Sequence, residues 1–310
     1  MNAPDYVLVT PVRNEEATIG VTLESVVNQS VRPLEWVIVS DGSTDGTDAI
    51  VQPYADKYPF IRLLRLTERP QRSFSSVVFA TEAGIAHLLH RDCEFIGLLD
   101  GDVRLGRDYY EELLRRFQED SRLGLAGGLV VDCVDGRRIR STQAPQEVAG
   151  AVQFFRRACF DSMGGLTAIA EGGWDAITCV QARMNGFTTR TFTELEVDHL
   201  KPRNISEGNV ARRHFQFGVR DHALGNHPLF EALKCLYRCA DKPWIIGGVA
   251  RYVGYLWCVL TLKPRSLPRE LVAHIRGEQL ARMMSVRVVR RRSRRGHADQ
   301  AAGRLLDVIR

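Results

Sequence analysis

The residues best suited to chemistry fall in three short stretches. Asp100-Gly101-Asp102 sets two carboxylates one residue apart, directly behind the apolar run Phe95–Leu99. Such charges repel unless a cation or hydrogen-bond donors lie between them. Hard oxygen ligands favour Mg²⁺ or Mn²⁺ held jointly with substrate phosphates. Among 19 aspartates a D-x-D pair arises by chance, so its place behind a strand-like run is what carries weight. Asp41-Gly42-Ser43-Thr44-Asp45-Gly46-Thr47 follows a second apolar run, Trp36–Ser40. An acid there can accept hydrogen bonds from a ribose or a base, and glycines let the backbone approach a ligand. The stretch matches neither G-x-G-x-x-G nor the Walker pattern, and no Lys follows, so neither a dinucleotide fold nor a P-loop is supported. The third stretch is Pro11-Val12-Arg13-Asn14-Glu15-Glu16, where Asn14 is placed to cap the next helix.

These stretches become a site only if the chain brings them to one edge. Val7–Thr10, Trp36–Ser40, Ile61–Leu66 and Phe95–Leu99 read as buried strands. Between them lie helical patterns: Ile19, Leu23, Val26 and Val27 at helical spacing, then 45–58 interrupted by Pro53, 75–90 and 108–119. The βαβαβαβ order predicts an α/β, doubly wound, mostly parallel sheet with right-handed crossovers. Ligands on such sheets sit at the carboxyl ends of the strands, which is where all three stretches fall.

Together, in their order and spacing, Val9–Glu16, Val39–Thr47 and Leu99–Asp102 resemble the family 2 glycosyltransferases of GT-A fold, over roughly residues 5–230. The resemblance implies a mixed sheet, a nucleotide-diphosphate-sugar donor, with a UDP-sugar favoured, and inverting sugar transfer supported by Mg²⁺ or Mn²⁺. By motif position, Asp41 would contact the base, while Pro11, Arg13 and Glu15 would line the nucleotide pocket. Asp100 would lie near the ribose or donor sugar, and Asp102 would hold the metal. The family often has two acids before Gly-Ser; here the first is Ser40. The general base that takes the acceptor's proton is matched by Asp175, behind Glu171-Gly172-Gly173-Trp174 at a helix start. Glu171 competes for that role, and an acid at Asp175 also suits a helix dipole. His199 is either a third metal ligand, a diphosphate contact or structural. Arg69 and Arg72 would reach the phosphates. Lys201 or Arg203 would neutralise the leaving diphosphate or stand as solvated charge, and Arg212, Arg213 and His214 fall near the gate region of related enzymes. Within the enzyme class the alternative is a sugar nucleotidyltransferase, which would want a Gly-rich loop with a Lys after the first strand. A non-catalytic sugar-nucleotide-binding scaffold is the alternative from another class.

The chain has 310 residues, 45% hydrophobic and 25% charged, a composition that excludes disorder, collagen and coiled coil. Residues 276–310 hold ten Arg against three acids, so the other 275 residues carry −2 of the total +5. The body is therefore acidic and the basic character belongs to a tail, with no aromatic residues interleaved among its arginines as a nucleic-acid surface would require. Seven scattered cysteines without C-x-x-C point to reduced thiols, and no signal peptide is expected at the start. The expected organisation is a GT-A domain over 1–230 and a helical, membrane-associating extension over 231–310. Within the extension, 244–262 is the apolar segment and 276–310 the basic tail. Gly247, Arg251, Gly254 and Cys258 share one face of 244–262, and Arg251 would cost about 2.5–3.5 kcal/mol at a bilayer centre. The segment is read as an interfacial helix, a span or a buried core helix. With the arginines near 287–295 facing anionic lipid, the expected location is the cytoplasmic side of the cell membrane, at the inner leaflet. The expected acceptor is a surface glycan or a lipid-linked one.

Overall fold

The computed structural model describes residues 5–67, 75–134, 136–140, 143–201, 210–239 and 244–293. The chain forms two compact units, Met1–Ala168 with Trp174–Asn204, and Ile169–Gly173 with Ile205–Arg310. The division falls earlier than the expected 230. Its reason is the helix Val210–Ala223, which packs backbone to backbone against a later helix, as described below.

In the first unit the alternation of apolar runs and helices produces β1 (Tyr6–Val12), α1 (Ile19–Val27), β2 (Glu35–Asp41), α2 (Thr47–Lys57), β3 (Ile61–Leu66), α3 (Ser76–Ala86) and β4 (Phe95–Leu99). Then follow β5 (Val103–Arg104), α4 (Tyr109–Glu119), β6 (Leu123–Val134), β7 (Arg137–Arg140), β8 (Val152–Arg156), α5 (Arg157–Met163), α6 (Trp174–Met184) and β9 (Thr188–His199). The sheet order is β3-β2-β1-β4-β8-β6-β9-β5, with β7 paired to β6. Strands β1 to β4 are parallel. Strand β8 runs antiparallel to both β4 and β6, so the sheet is mixed.

Successive side chains of a strand point to opposite faces, and the core follows that rule. Tyr6, Leu8, Trp36, Ile38, Phe95 and Leu99 join one buried cluster, while Val7, Val9, Val37, Val39, Ile96 and Leu98 join the other. Both faces are covered, which is why these strands are apolar throughout rather than alternating. Phe154 stacks on Phe95 at 5.6 Å between ring centroids, and Phe117 meets both edge-on. Glu35, buried at the start of β2, bonds Arg62 at 2.6 Å and accepts from the Leu89 and His90 amides. Burial alone would raise its carboxyl, but these donors hold it below the usual range.

The second unit contains α7 (Val210–Ala223), α8 (Pro228–Arg238), α9 (Ile245–Leu260) and α10 (Arg269–Ser293). The stripe of small residues on α9 is its buried face. A Cβ on Gly218 would overlap the Arg251 carbonyl, and one on Gly254 would overlap that of Phe215, so α7 and α9 approach as only glycine permits. Arg251 is buried, with Nε 2.5 Å from Asp221 Oδ2, and Lys234 lies 3.1 Å from Asp221 and 2.6 Å from Glu231. The four charges neutralise one another inside the helical unit, and despite burial the two cations hold the Asp221 carboxyl well below its usual range. At 16 residues α9 is about 24 Å long, short of the ~30 Å hydrocarbon core. Among the described residues no helix is long and apolar enough to cross a membrane.

Candidate active site

The three stretches meet at the carboxyl edge of β1, β2 and β4, around a cleft of ≈ 290 Å³ lined by Pro11, Arg13, Glu15, Asp41, Asp100 and Asp102, with Ser76 and Ala80 from α3. The loops after β1 and β2 clamp each other. Asn14, in the left-handed region at φ 55°, accepts the Thr44 amide at 2.9 Å. The Glu15 amide donates to Thr47 Oγ1 at 2.8 Å, and the Gly46 amide to Glu16 Oε2 at 2.9 Å. Asn14 therefore does not cap α1. The chain first makes a turn in which the Thr18 and Ile19 amides both bond the Glu15 carbonyl, and the helix begins at Ile19.

Asp41 is 5% exposed, and its Oδ1 is buried without a hydrogen-bond partner among the described residues. An orphaned carboxylate oxygen at a cleft is costly unless a ligand supplies a donor.

The Asp100-Gly101-Asp102 loop is pinned from two sides. Thr22 of α1 bonds the Gly101 and Val103 carbonyls at 2.9 and 2.8 Å, and the Asp100 amide donates to Ala151 at 3.0 Å. A Cβ at 101 would sit 2.6 Å from Val12 Cγ1, so only glycine lets the two acids turn into the cleft. Strand β5 then pairs Val103 with His199 at the end of β9. Asp100, Asp102 and His199 each offer a ligand atom, all within 4.8 Å of one another. Burial, reinforced by the nearby Glu15 charge, raises the Asp102 carboxyl above its usual range, against the opposing pull of His199 and Lys201. Two carboxylates and an imidazole in a low-dielectric recess are a donor set that suits a divalent cation. His199 Nε2 lies 3.5 Å from Asp102 Oδ2, and Nδ1 lies 3.3 Å from Asp132 Oδ1 on the other side. Such an outer carboxylate is the common partner of a metal-ligating histidine.

Asp132 escaped the reading of the sequence, where it is one acid near the end of β6, about thirty residues from the nearest motif. Its position at a strand end was the available signal. Lys201 has a defined partner as well, 2.6 Å from Glu15 Oε2 and 3.1 Å from the Asn14 carbonyl. Its positive charge thus sits on the first loop, where it offsets Glu15 beside the cleft.

Asp175 stands in the first turn of α6, outside the residues that line the cleft. It connects to the Asp100 loop through the backbone, because Gly150 packs against Trp174 and Asp175 while its neighbour Ala151 bonds Asp100. Glu171 belongs to the second unit, where it accepts a hydrogen bond from Ser266 at 3.0 Å. Arg212, Arg213 and His214 are on α7, and Arg213 lies over the Phe217 ring. Arg69, Arg72 and Arg203 lie outside the described residues.

Comparison with known proteins bears directly on this arrangement. A 4,4'-diaponeurosporenoate glycosyltransferase of Staphylococcus aureus is 27% identical over 125 residues, 40% of this chain and 31% of that protein. The minor teichoic acid biosynthesis protein GgaA of Bacillus subtilis is 24% identical over 125 residues, 39% of this chain and 26% of its own. The matched region is thus less than a third of either relative. Among solved structures, a mannosyltransferase of Pyrobaculum calidifontis in complex with GDP-Man and Mn²⁺ has a TM-score of 0.54 at 16% identity, over 100% of this chain and 85% of that one. GalNAc-T7 with UDP, GalNAc and Mn²⁺ has a TM-score of 0.52 at 15% identity, over 71% of this chain and 51% of that one. Both likenesses establish the fold, which is that of the GT-A glycosyltransferases. The model of glycosyl transferase family 2 matches residues 7–168, and with the three loops assembled on one cleft the chain belongs to that family.

Proposed function

We propose that the chain transfers a sugar from a nucleotide-diphosphate donor to an acceptor hydroxyl with inversion, in the presence of a divalent cation, Mg²⁺ or Mn²⁺. The observation that carries this reading is the coincidence at one cleft of the orphaned Asp41 oxygen and of Asp100 and Asp102, whose ligand atoms lie within 4.8 Å of one another and of His199. Asp41 accepts from the base, with a uridine donor favoured by the family resemblance. Pro11 and Arg13 line the nucleotide pocket. Asp100, Asp102 and His199 would hold a divalent cation at the diphosphate end of the donor. When bound, the cation stabilises charge on the departing diphosphate.

Asp175 accepts the proton from the acceptor hydroxyl as its oxygen attacks the anomeric carbon. The bond to the diphosphate oxygen breaks with the electron pair leaving on the nucleoside diphosphate, which inverts the configuration. Asp175 is preferred to Glu171 because it starts a helix of the catalytic unit and packs on Gly150, next to the residue that bonds Asp100. The acceptor is a surface glycan or a lipid-linked one.

The test screens UDP-, GDP- and dTDP-sugars with Mn²⁺ for thermal stabilisation and donor hydrolysis. Stabilisation by one donor, lost in Asp41→Ala and Asp102→Asn, is the expected result. No stabilisation by any nucleotide sugar would sink the reading.

A further inference from the structure

Two surfaces of the second unit are not used by the sugar transfer proposed above. The first is apolar and exposed. On α9, Ile245, Ile246, Val249, Val253, Trp257 and Leu260 are each at least half exposed, and at 3.6 residues per turn they fall within an arc of about 120°. This is the side opposite the glycine stripe that packs on α7. On α8, exposed Leu229, Leu233 and Leu236 form a second such face. The second surface is a cavity of ≈ 860 Å³ lined by Lys263, Arg265, Arg269, Arg276 and His222, with no carboxylate among the described residues of its lining. Val259 and Leu262 line it too, and Leu262 is 87% exposed, so the cavity opens where the apolar arc ends.

We propose that this unit docks flat on an anionic phospholipid surface, with a headgroup phosphate seated among Lys263, Arg265 and Arg269. Charge complementarity selects this occupant. An apolar layer bordered by a layer of cations matches acyl chains bordered by phosphates, and Trp244 and Trp257, both exposed, are the residue type that settles at that boundary. A second copy of the chain would bring the same cations to the same surface. The buried Arg251 supports flat docking over spanning, because its pairing with Asp221 holds the polar face of α9 inside the unit.

The experiment is co-sedimentation of the full chain with vesicles at physiological salt. Phosphatidylcholine mixed with phosphatidylglycerol should retain the protein, and phosphatidylcholine alone should not. The variant K263Q/R265Q/R269Q should partition about a hundredfold less onto the mixed vesicles. W257S/L260S, changed only at exposed positions, should partition at least about tenfold less. Equal binding to neutral vesicles overturns the proposal, as does unchanged partitioning of both variants, which would assign any binding to the arginine-rich residues beyond. Displacement from vesicles by inorganic phosphate would reassign the cavity to a soluble anion, and a dimer whose formation blocks vesicle binding would reassign the apolar arc. Donor hydrolysis without vesicles should be unchanged in both variants, so a failure of the catalytic reading is seen separately.

Discussion

Replacing Asp132 by Asn tests whether the histidine of the cluster is a metal ligand. The side chains are nearly isosteric, so the substitution removes a charge without opening a cavity. His199 Nδ1 lies 3.3 Å from Asp132 Oδ1, with the two side chains 7% and 21% exposed. At an effective dielectric near 20, a full imidazolium–carboxylate pair at that distance would interact by about 5 kcal/mol, an upper bound, because a metal-ligating ring is neutral. In this structure His199 Nδ1 makes no hydrogen bond; the one that a metal-bound ring would donate to Asp132 is worth about 1.5–3 kcal/mol, as for any charged acceptor. Losing most of that when the ring must present Nε2 to the cation corresponds to about 10- to 100-fold weaker metal binding, the range seen for outer-shell carboxylates. Because the swap is nearly isosteric, the metal-free protein should keep a melting temperature close to that of the parent. The assay is Mn²⁺ titration by calorimetry or by paramagnetic resonance of the free ion, with thermal melting of the metal-free protein beside it. His199→Ala should weaken binding at least as much, and Asp102→Asn more. A Mn²⁺ affinity for Asp132→Asn within about twofold of the parent, in a protein that melts normally, would refute the role given to His199.

Asp175→Asn should leave donor affinity nearly intact and reduce transfer by at least about 10²-fold, the lower end for loss of a general base; near-normal kcat would remove the assignment. Gly101→Ala should destabilise by about 1–3 kcal/mol through overpacking against Val12 and weaken Mn²⁺ binding with it, measured by denaturant unfolding and titration. Asp221→Ala should cost about 3–5 kcal/mol by leaving Arg251 and Lys234 buried without their shared acid, read from the unfolding midpoint. Its hydrogen-bond donors hold the Glu35 carboxyl below the ordinary glutamate range, so its stabilisation is present above that range and is lost as pH falls through the depressed folded value. Glu35→Gln should flatten this acid limb in melting temperature plotted against pH, and an unchanged limb would assign it to other acids.

Much of the site was readable because its motifs are local. Asp100-Gly101-Asp102 follows an apolar run, and a strand end on a parallel sheet is where ligands bind, so spacing alone placed these acids and Asp41 on one edge. The alternating faces of Tyr6, Leu8, Val7 and Val9 were likewise inherent in the strand period. The bonds across loops were not. Asn14 had two partners open to it, the helix behind it and the loop thirty residues on, and only the approach of β1 to β2 decides that it takes the Thr44 amide.

Long-range neighbours account for the other differences. Asp132 and His199 stand near the ends of β6 and β9 and Asp102 in the loop before β5, and their meeting depends on β5 pairing antiparallel to β9 while β6 runs parallel to it. No sequence period encodes such a register. Arg251 looked like a charge in an apolar segment, with a buried, interfacial or spanning position all compatible with its face. The acid that neutralises it lies thirty residues earlier on α7, and glycine contacts between α7 and α9 bring the two together. Side-chain type and spacing dictate what each element can bury and which chemistry it can offer. Which charges meet is set by packing, since an ion pair costs desolvation that only a specific partner can offset.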